Sequence, residues 1–94
     1  MGGTAKGALT LASNASATGS YGIWPGGKAS FQAEATWGGG SAKLQGKLPN
    51  GTAYDVATLS ANGVSSVLDL PAGEYRVLIA TATAVYAKLV HVPA

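Results

Sequence analysis

The sequence predicts an all-β domain: a small antiparallel β-sandwich, jelly-roll or Ig-like, of about seven to eight strands. Three observations carry that expectation. Between residues 28 and 92, short runs alternate apolar and polar side chains with the period of two that a half-buried strand requires. Turn residues close each run, in Gly38-Gly39-Gly40, Pro49-Asn50-Gly51, Ala61-Asn62-Gly63 and Pro71-Ala72-Gly73. No segment argues for a helix: in 53–61, the best candidate, Thr and Val residues and the flanking Asn-Gly pairs favour a strand.

Residues 1–6 read as a flexible N-terminal arm and residues 7–94 as one sandwich domain. The first strand is expected over 8–13, where Leu9 and Leu11 alternate with polar or small residues. A polar loop of small residues follows over 14–19, and a short strand over 20–24 stops at Pro25-Gly26-Gly27. Over 28–36, Phe31, Ala33 and Ala35 take one face and Gln32, Glu34 and Thr36 the other. The three glycines then predict a tight reversal into a strand over 41–48, with Leu44, Gly46 and Leu48 inward. These two strands are expected to pair as a hairpin, with Glu34 reaching Lys43 or Lys47 across it. A strand over 53–59 places Tyr54, Val56 and Thr58 together, and one over 64–70 places Val64, Ser66, Leu68 and Leu70 together. Over 74–80, Tyr75, Val77 and Ile79 oppose Arg76 and Leu78. The last strand, 84–92, is apolar on both faces and is expected to be central.

A chain of 94 residues holds one domain with a modest core. It contains no cysteine, which excludes a disulfide framework, a thiolate metal site and a Cys nucleophile. Charged residues are 11% of the chain, against about 25% in ordinary soluble domains, so its surface is inexpensive to desolvate against a partner. That points to a subunit of an assembly. The net charge of +2 comes from scattered bases, Lys6, Lys28, Lys43, Lys47, Lys88 and Arg76, so no direct nucleic-acid partner is expected. No run approaches a membrane span or the apolar part of a secretory signal, which predicts synthesis in the cytoplasm and no membrane partner.

Catalytic constellations are missing from the pattern. His91 is the one histidine and has no carboxylate at a triad-like spacing, so it reads as a strand residue. Asp69 and Glu74 flank one turn and read as solvated turn residues, not as an acid–base pair. Gly26-Gly27-Lys28-Ala29-Ser30 imitates part of a phosphate loop, but lacks its four-residue interval and its helix. No enzyme, metal or cofactor is expected. Binding candidates are Tyr21, Trp24, Lys28, Trp37 and Arg76. Trp24 and Trp37 each end a strand, where an aromatic caps the core, anchors a partner or stacks on a sugar. Tyr54, Tyr75 and Tyr86 read as core or sheet-face residues.

Four segments taken in order carry a resemblance. They are residues 29–45 (ASFQAEATWGGGSAKLQ), 49–54 (PNGTAY), 70–77 (LPAGEYRV) and 85–89 (VYAKL). The pattern of turns and faces over 28–92 resembles small β-sandwich virion proteins of tailed bacteriophages. One departure is Tyr54, where tryptophan more often follows the Asn-Gly-Thr turn. The resemblance implies a capsid decoration or cement protein. Such a protein sits in the virion as a dimer or trimer and binds the major capsid protein or another virion protein to stabilise the shell. Partner contacts are then expected along 21–28 and on the N-terminal arm. The alternatives are a tail or head-fibre component, or a carbohydrate-binding or host-adhesion module built on Trp24 and Trp37.

Overall fold

The computed structural model describes residues 8–92, so the arm over 1–6 lies outside the described residues. Among the described residues nine strands form: β1 (Ala8–Ala15), β2 (Gly22–Trp24), β3 (Gly27–Thr36), β4 (Ser41–Lys47), β5 (Ala53–Leu59), β6 (Gly63–Val64), β7 (Leu68–Leu70), β8 (Gly73–Ala80) and β9 (Thr83–His91). The ninth arises because the single strand expected over 64–70 is interrupted. The Ser65 hydroxyl accepts the Phe31 amide at 3.0 Å, taking the place of a backbone carbonyl in the ladder. Register slips there by one residue: Ala29 faces Leu68, whereas Gln32 faces Val64. The slip reverses the side-chain phase, so Leu70 is buried while Val64, expected inward with it, is 59% exposed.

The pairing is nested. The tip of the chain's hairpin is at Pro49-Asn50-Gly51, between β4 and β5. There Gly51 N donates to Leu48 O, and Asn50 Oδ1 accepts from Thr52 N, with Gly51 at φ +91°. Outward from the tip, β3 pairs β6 and β7, β2 pairs β8, and β1 pairs β9, all antiparallel. One long hairpin has thus been rolled up, and the rolling adds the contacts β3–β9 and β4–β8. The result is two sheets, β1-β9-β3-β6 with β7 also on β3, and β2-β8-β4-β5. With β6 and β7 counted as one broken strand, this is the connectivity of a jelly roll. An Ig-like sandwich is excluded, because there the last two strands share a sheet, whereas β8 and β9 lie in different ones.

The same topology corrects the expected hairpin between β3 and β4. These strands do not pair; the chain crosses from one sheet to the other between them. Gly38 and Gly39 take φ +53° and +84°, and Gly40 N closes the turn on Trp37 O at 2.7 Å, as the glycine run predicts. Gly40 itself is buried against the second crossing, from β8 to β9. A Cβ there would lie 2.1 Å from Ala80 O and 2.5 Å from Ala82 N. That second crossing is a γ-turn in which Ala82 N donates to Ala80 O across Thr81 at φ +68°, a strained position for a β-branched residue.

Between the sheets lies a core of Phe31, Ala29 and Ala33 from β3, Val85, Ala87 and Leu89 from β9, and Leu44, Tyr75 and Val77 from the other sheet. β9 is central, as expected, between β1 and β3, yet only one of its faces is covered: Val85, Ala87 and Leu89 are buried while Tyr86 and Lys88 are exposed. A bulge at Val56 likewise shifts β5, so that Ala57 and Leu59 pack inward and Thr58 is exposed. Leu48, expected inward, is exposed at the hairpin tip.

Candidate binding surfaces

The five sequence-derived binding residues do not converge. Trp24 is 2% exposed and belongs to the core, its ring 6.1 Å from that of His91. It caps the interior and cannot touch a partner in the folded state. Trp37 is half-buried, and its Nε1 donates to Asn62 Oδ1 at 2.8 Å, an oxygen that also accepts the Ala35 amide. The expected Asn62-Gly63 turn is therefore a tether: neither residue has a positive φ, and the amide fastens β3 to the segment before β6. Lys28 is exposed and lies opposite Asp69 on β7.

Tyr21 and Arg76 do come together, on the outer face of the β2-β8-β4-β5 sheet. The Arg76 guanidinium lies 4.9 Å and the Lys47 ammonium 5.1 Å from the centre of the Tyr21 ring. Arg76 Nε donates to Gln45 Oε1 at 3.1 Å, and Gln45 Nε2 donates to Asp55 Oδ1 at 2.9 Å. Lys43 closes the chain on Asp55 at 3.3 Å, and Lys47 pairs Glu74 at 3.7 Å. The hydrogen bond from Gln45, then that from Lys43, hold the Asp55 carboxyl below its ordinary value of 3.8. The alternation that sets Lys43, Gln45 and Lys47 on one side of β4 builds this row. Their partners are Asp55 and Glu74, not Glu34, which lies on the other sheet. Beside the row, Ile23 is 78% exposed on edge strand β2, opposite Glu74.

The outer face of the β1-β9-β3-β6 sheet is concave. A groove of about 480 Å³ runs across it, lined by Thr10, Gln32, Glu34, Val64, Tyr86 and Lys88 among others. Bulges in β1, between Thr10 and Ala12 and again before Ala15, and one between β3 and β9 beyond Glu34 bend the sheet around it. Register puts Thr10, Lys88, Gln32 and Val64 in one transverse row and Tyr86 opposite Glu34 in the next. Sequence reading placed Tyr86 on a core or sheet face, and it is the sheet face: 46% exposed and opening on the groove. Lys88, two residues on and exposed on the same side, makes this the solvent face of a strand expected to be apolar on both faces.

Among the described residues, no three acidic or histidine side chains cluster as metal ligands would. No protein-family model, curated protein or solved structure matches this chain.

Proposed function

We propose that this chain is a non-enzymatic structural protein of a tailed-bacteriophage virion, a capsid decoration protein that binds the assembled shell as a dimer or trimer and stabilises it. The observation that carries the reading is Ile23. A large aliphatic side chain stands 78% exposed on edge strand β2, whose pairing among the described residues is with β8 alone. Around it, Tyr21, Arg76, Lys47 and Glu74 are already matched to one another. An apolar anchor inside a rim of satisfied polar groups is the composition of a protein–protein interface, and an edge strand is a template for a further strand. The low charge of the chain and the resemblance over 28–92 support the same reading. The jelly roll itself supports it by fold-level analogy alone, since viral capsid and lectin domains share it.

The contact surface in this reading is β2 and the adjoining outer face, with Tyr21, Ile23 and Arg76 on it and the buried Trp24 beneath it. Mixing the purified protein with phage heads assembled without it, then sedimenting, tests both statements. The wild type is expected to pellet with the heads. Ile23→Glu is expected to bind at least about tenfold more weakly at an unchanged melting temperature. Wild-type protein that stays in the supernatant overturns the shell reading; equal pelleting of Ile23→Glu overturns the placement on β2.

A further inference from the structure

We infer that the concave outer face of the β1-β9-β3-β6 sheet is a binding groove for a neutral sugar, a mono- or disaccharide unit of a larger glycan. The inference does not rest on the shell-binding proposal, which concerns the opposite sheet. Its volume of about 480 Å³ is within the range of about 300–1,000 Å³ typical of small-molecule sites. The chemistry lining it is that of sugar recognition. Tyr86 supplies an exposed aromatic surface for the apolar C–H face of a pyranose. Thr10 and Gln32 each donate and accept hydrogen bonds, Glu34 accepts, and Lys88 donates.

Charge selects among ligands. One carboxylate and one ammonium face the groove, and among the described residues neither is in an ion pair; the two pairs found, Lys43–Asp55 and Lys47–Glu74, are both on the other sheet. A strongly anionic ligand would meet Glu34 and a cationic one Lys88, whereas a neutral polyol uses both. The groove is shallow and open to water, so affinity belongs in the millimolar range.

The test uses the full chain on an array of neutral glycans ending in glucose, galactose, mannose or N-acetylglucosamine. Titration of the free sugar of each hit into isotope-labelled protein then follows the backbone amides. Saturable low-millimolar binding is expected, with the largest shifts at Gln32, Glu34, Tyr86 and Lys88. Tyr86→Ala is expected to weaken it at least about tenfold, because truncation removes the one exposed aromatic surface that lines the groove. Ile23→Glu is expected to leave sugar binding unchanged, which separates this result from failure of the shell reading. The inference is overturned if no neutral glycan binds, if Tyr86→Ala binds as well as the wild type, or if acidic glycans bind better. It is also overturned if the same amides shift with protein concentration alone, which assigns the groove to a second copy of this chain.

Discussion

The two outer faces of this jelly roll carry similar side chains and use them differently. On the β2-β8-β4-β5 face, Lys43, Gln45, Lys47, Asp55, Glu74 and Arg76 bond to one another, and Tyr21 lies against two of their cations. On the β1-β9-β3-β6 face, Glu34, Lys88, Gln32 and Tyr86 line a groove, and no hydrogen bond or ion pair joins these side chains. The difference lies in curvature and register. On the first face, register sets Gln45 opposite both Asp55 and Arg76, so its amide bridges the two charges. On the second, bulges in β1 and β9 break the register, and Glu34 meets Tyr86 while Lys88 meets Gln32. A surface whose polar groups are paired among themselves serves stability and adhesion by shape; one whose polar groups are unspent has bonds to offer a ligand.

That contrast depends on the sheets being locked back to back, and the largest effect is expected where the lock is removed. Gly40→Ala drives a methyl group into the backbone of the second crossing, 2.1 Å from Ala80 O, and backbone on both sides prevents relief. A loss of at least about 3 kcal/mol is expected in urea unfolding, at the upper end for overpacking and a large part of a small domain's stability. Gly39→Ala meets nothing within 4 Å but retains φ +84°, so it should lose only the left-handed cost of about 1–2 kcal/mol. Equal losses for the two variants would show that the crossings are not packed as described.

A smaller effect is expected at the corner that leads from β7 into β8. Tyr75 is buried, and its hydroxyl donates to Pro71 O at 2.8 Å, pinning the turn between the sheets. Tyr75→Phe should lose about 1 kcal/mol, the net value of one hydrogen bond with its acceptor left unpaired. Burial, with the neighbouring Tyr54 adding to it, raises the Tyr75 phenol above its ordinary value of 10. Above pH 10 the unfolded chain then releases this proton while the folded chain keeps it. The contribution is therefore complete below pH 10 and declines as pH rises beyond it. Urea unfolding at pH 8 and near pH 11 should show a steeper alkaline loss for the wild type than for Tyr75→Phe; parallel losses would contradict the burial of this phenol.

Much of this arrangement is legible in the sequence. Alternation and turn residues place seven of the expected strands within a residue or two of their ends, and β9 is central as expected, although one of its faces is open to solvent. Partnership is not legible. Gly38-Gly39-Gly40 requires a reversal, but the same glycines serve a hairpin or a sheet-to-sheet crossing, and only the non-local pairing of β3 with β9 decides. Bulges are equally silent: nothing in Val56 or in Ser65-Ser66-Val67 announces a one-residue slip, yet each slip exchanges the inside and outside of a strand. Trp24 shows a related limit: the sequence leaves core cap, partner anchor and sugar platform open, and the fold selects the core cap. A tryptophan before Pro-Gly is compatible with a surface anchor until the rolled hairpin sets it against His91. The groove was hidden because it is made by curvature across four strands, while its residues, taken singly, are ordinary polar positions.

The smallest expected effect compares one carboxylate from each face. Asp55 accepts from Gln45 and Lys43, and these bonds lower its pKa from 3.8. The unfolded chain therefore takes up this proton at a higher pH than the folded one. The contribution is full above about pH 3.8 and is lost as the pH falls through the folded value. Asp55→Asn should consequently flatten the acid limb of a stability–pH curve below pH 4 and change little at pH 7, because the group is exposed and water screens its partners. Glu34→Gln, on the groove, should leave stability unchanged within about 0.5 kcal/mol at neutral pH. If Glu34→Gln instead destabilises the fold as much as Asp55→Asn or more, then Glu34 is bonded within the protein, and the groove has no carboxylate free for a sugar hydroxyl. If it is neutral to stability but weakens glycan binding, the unspent polar groups of the concave face are the ones a ligand uses.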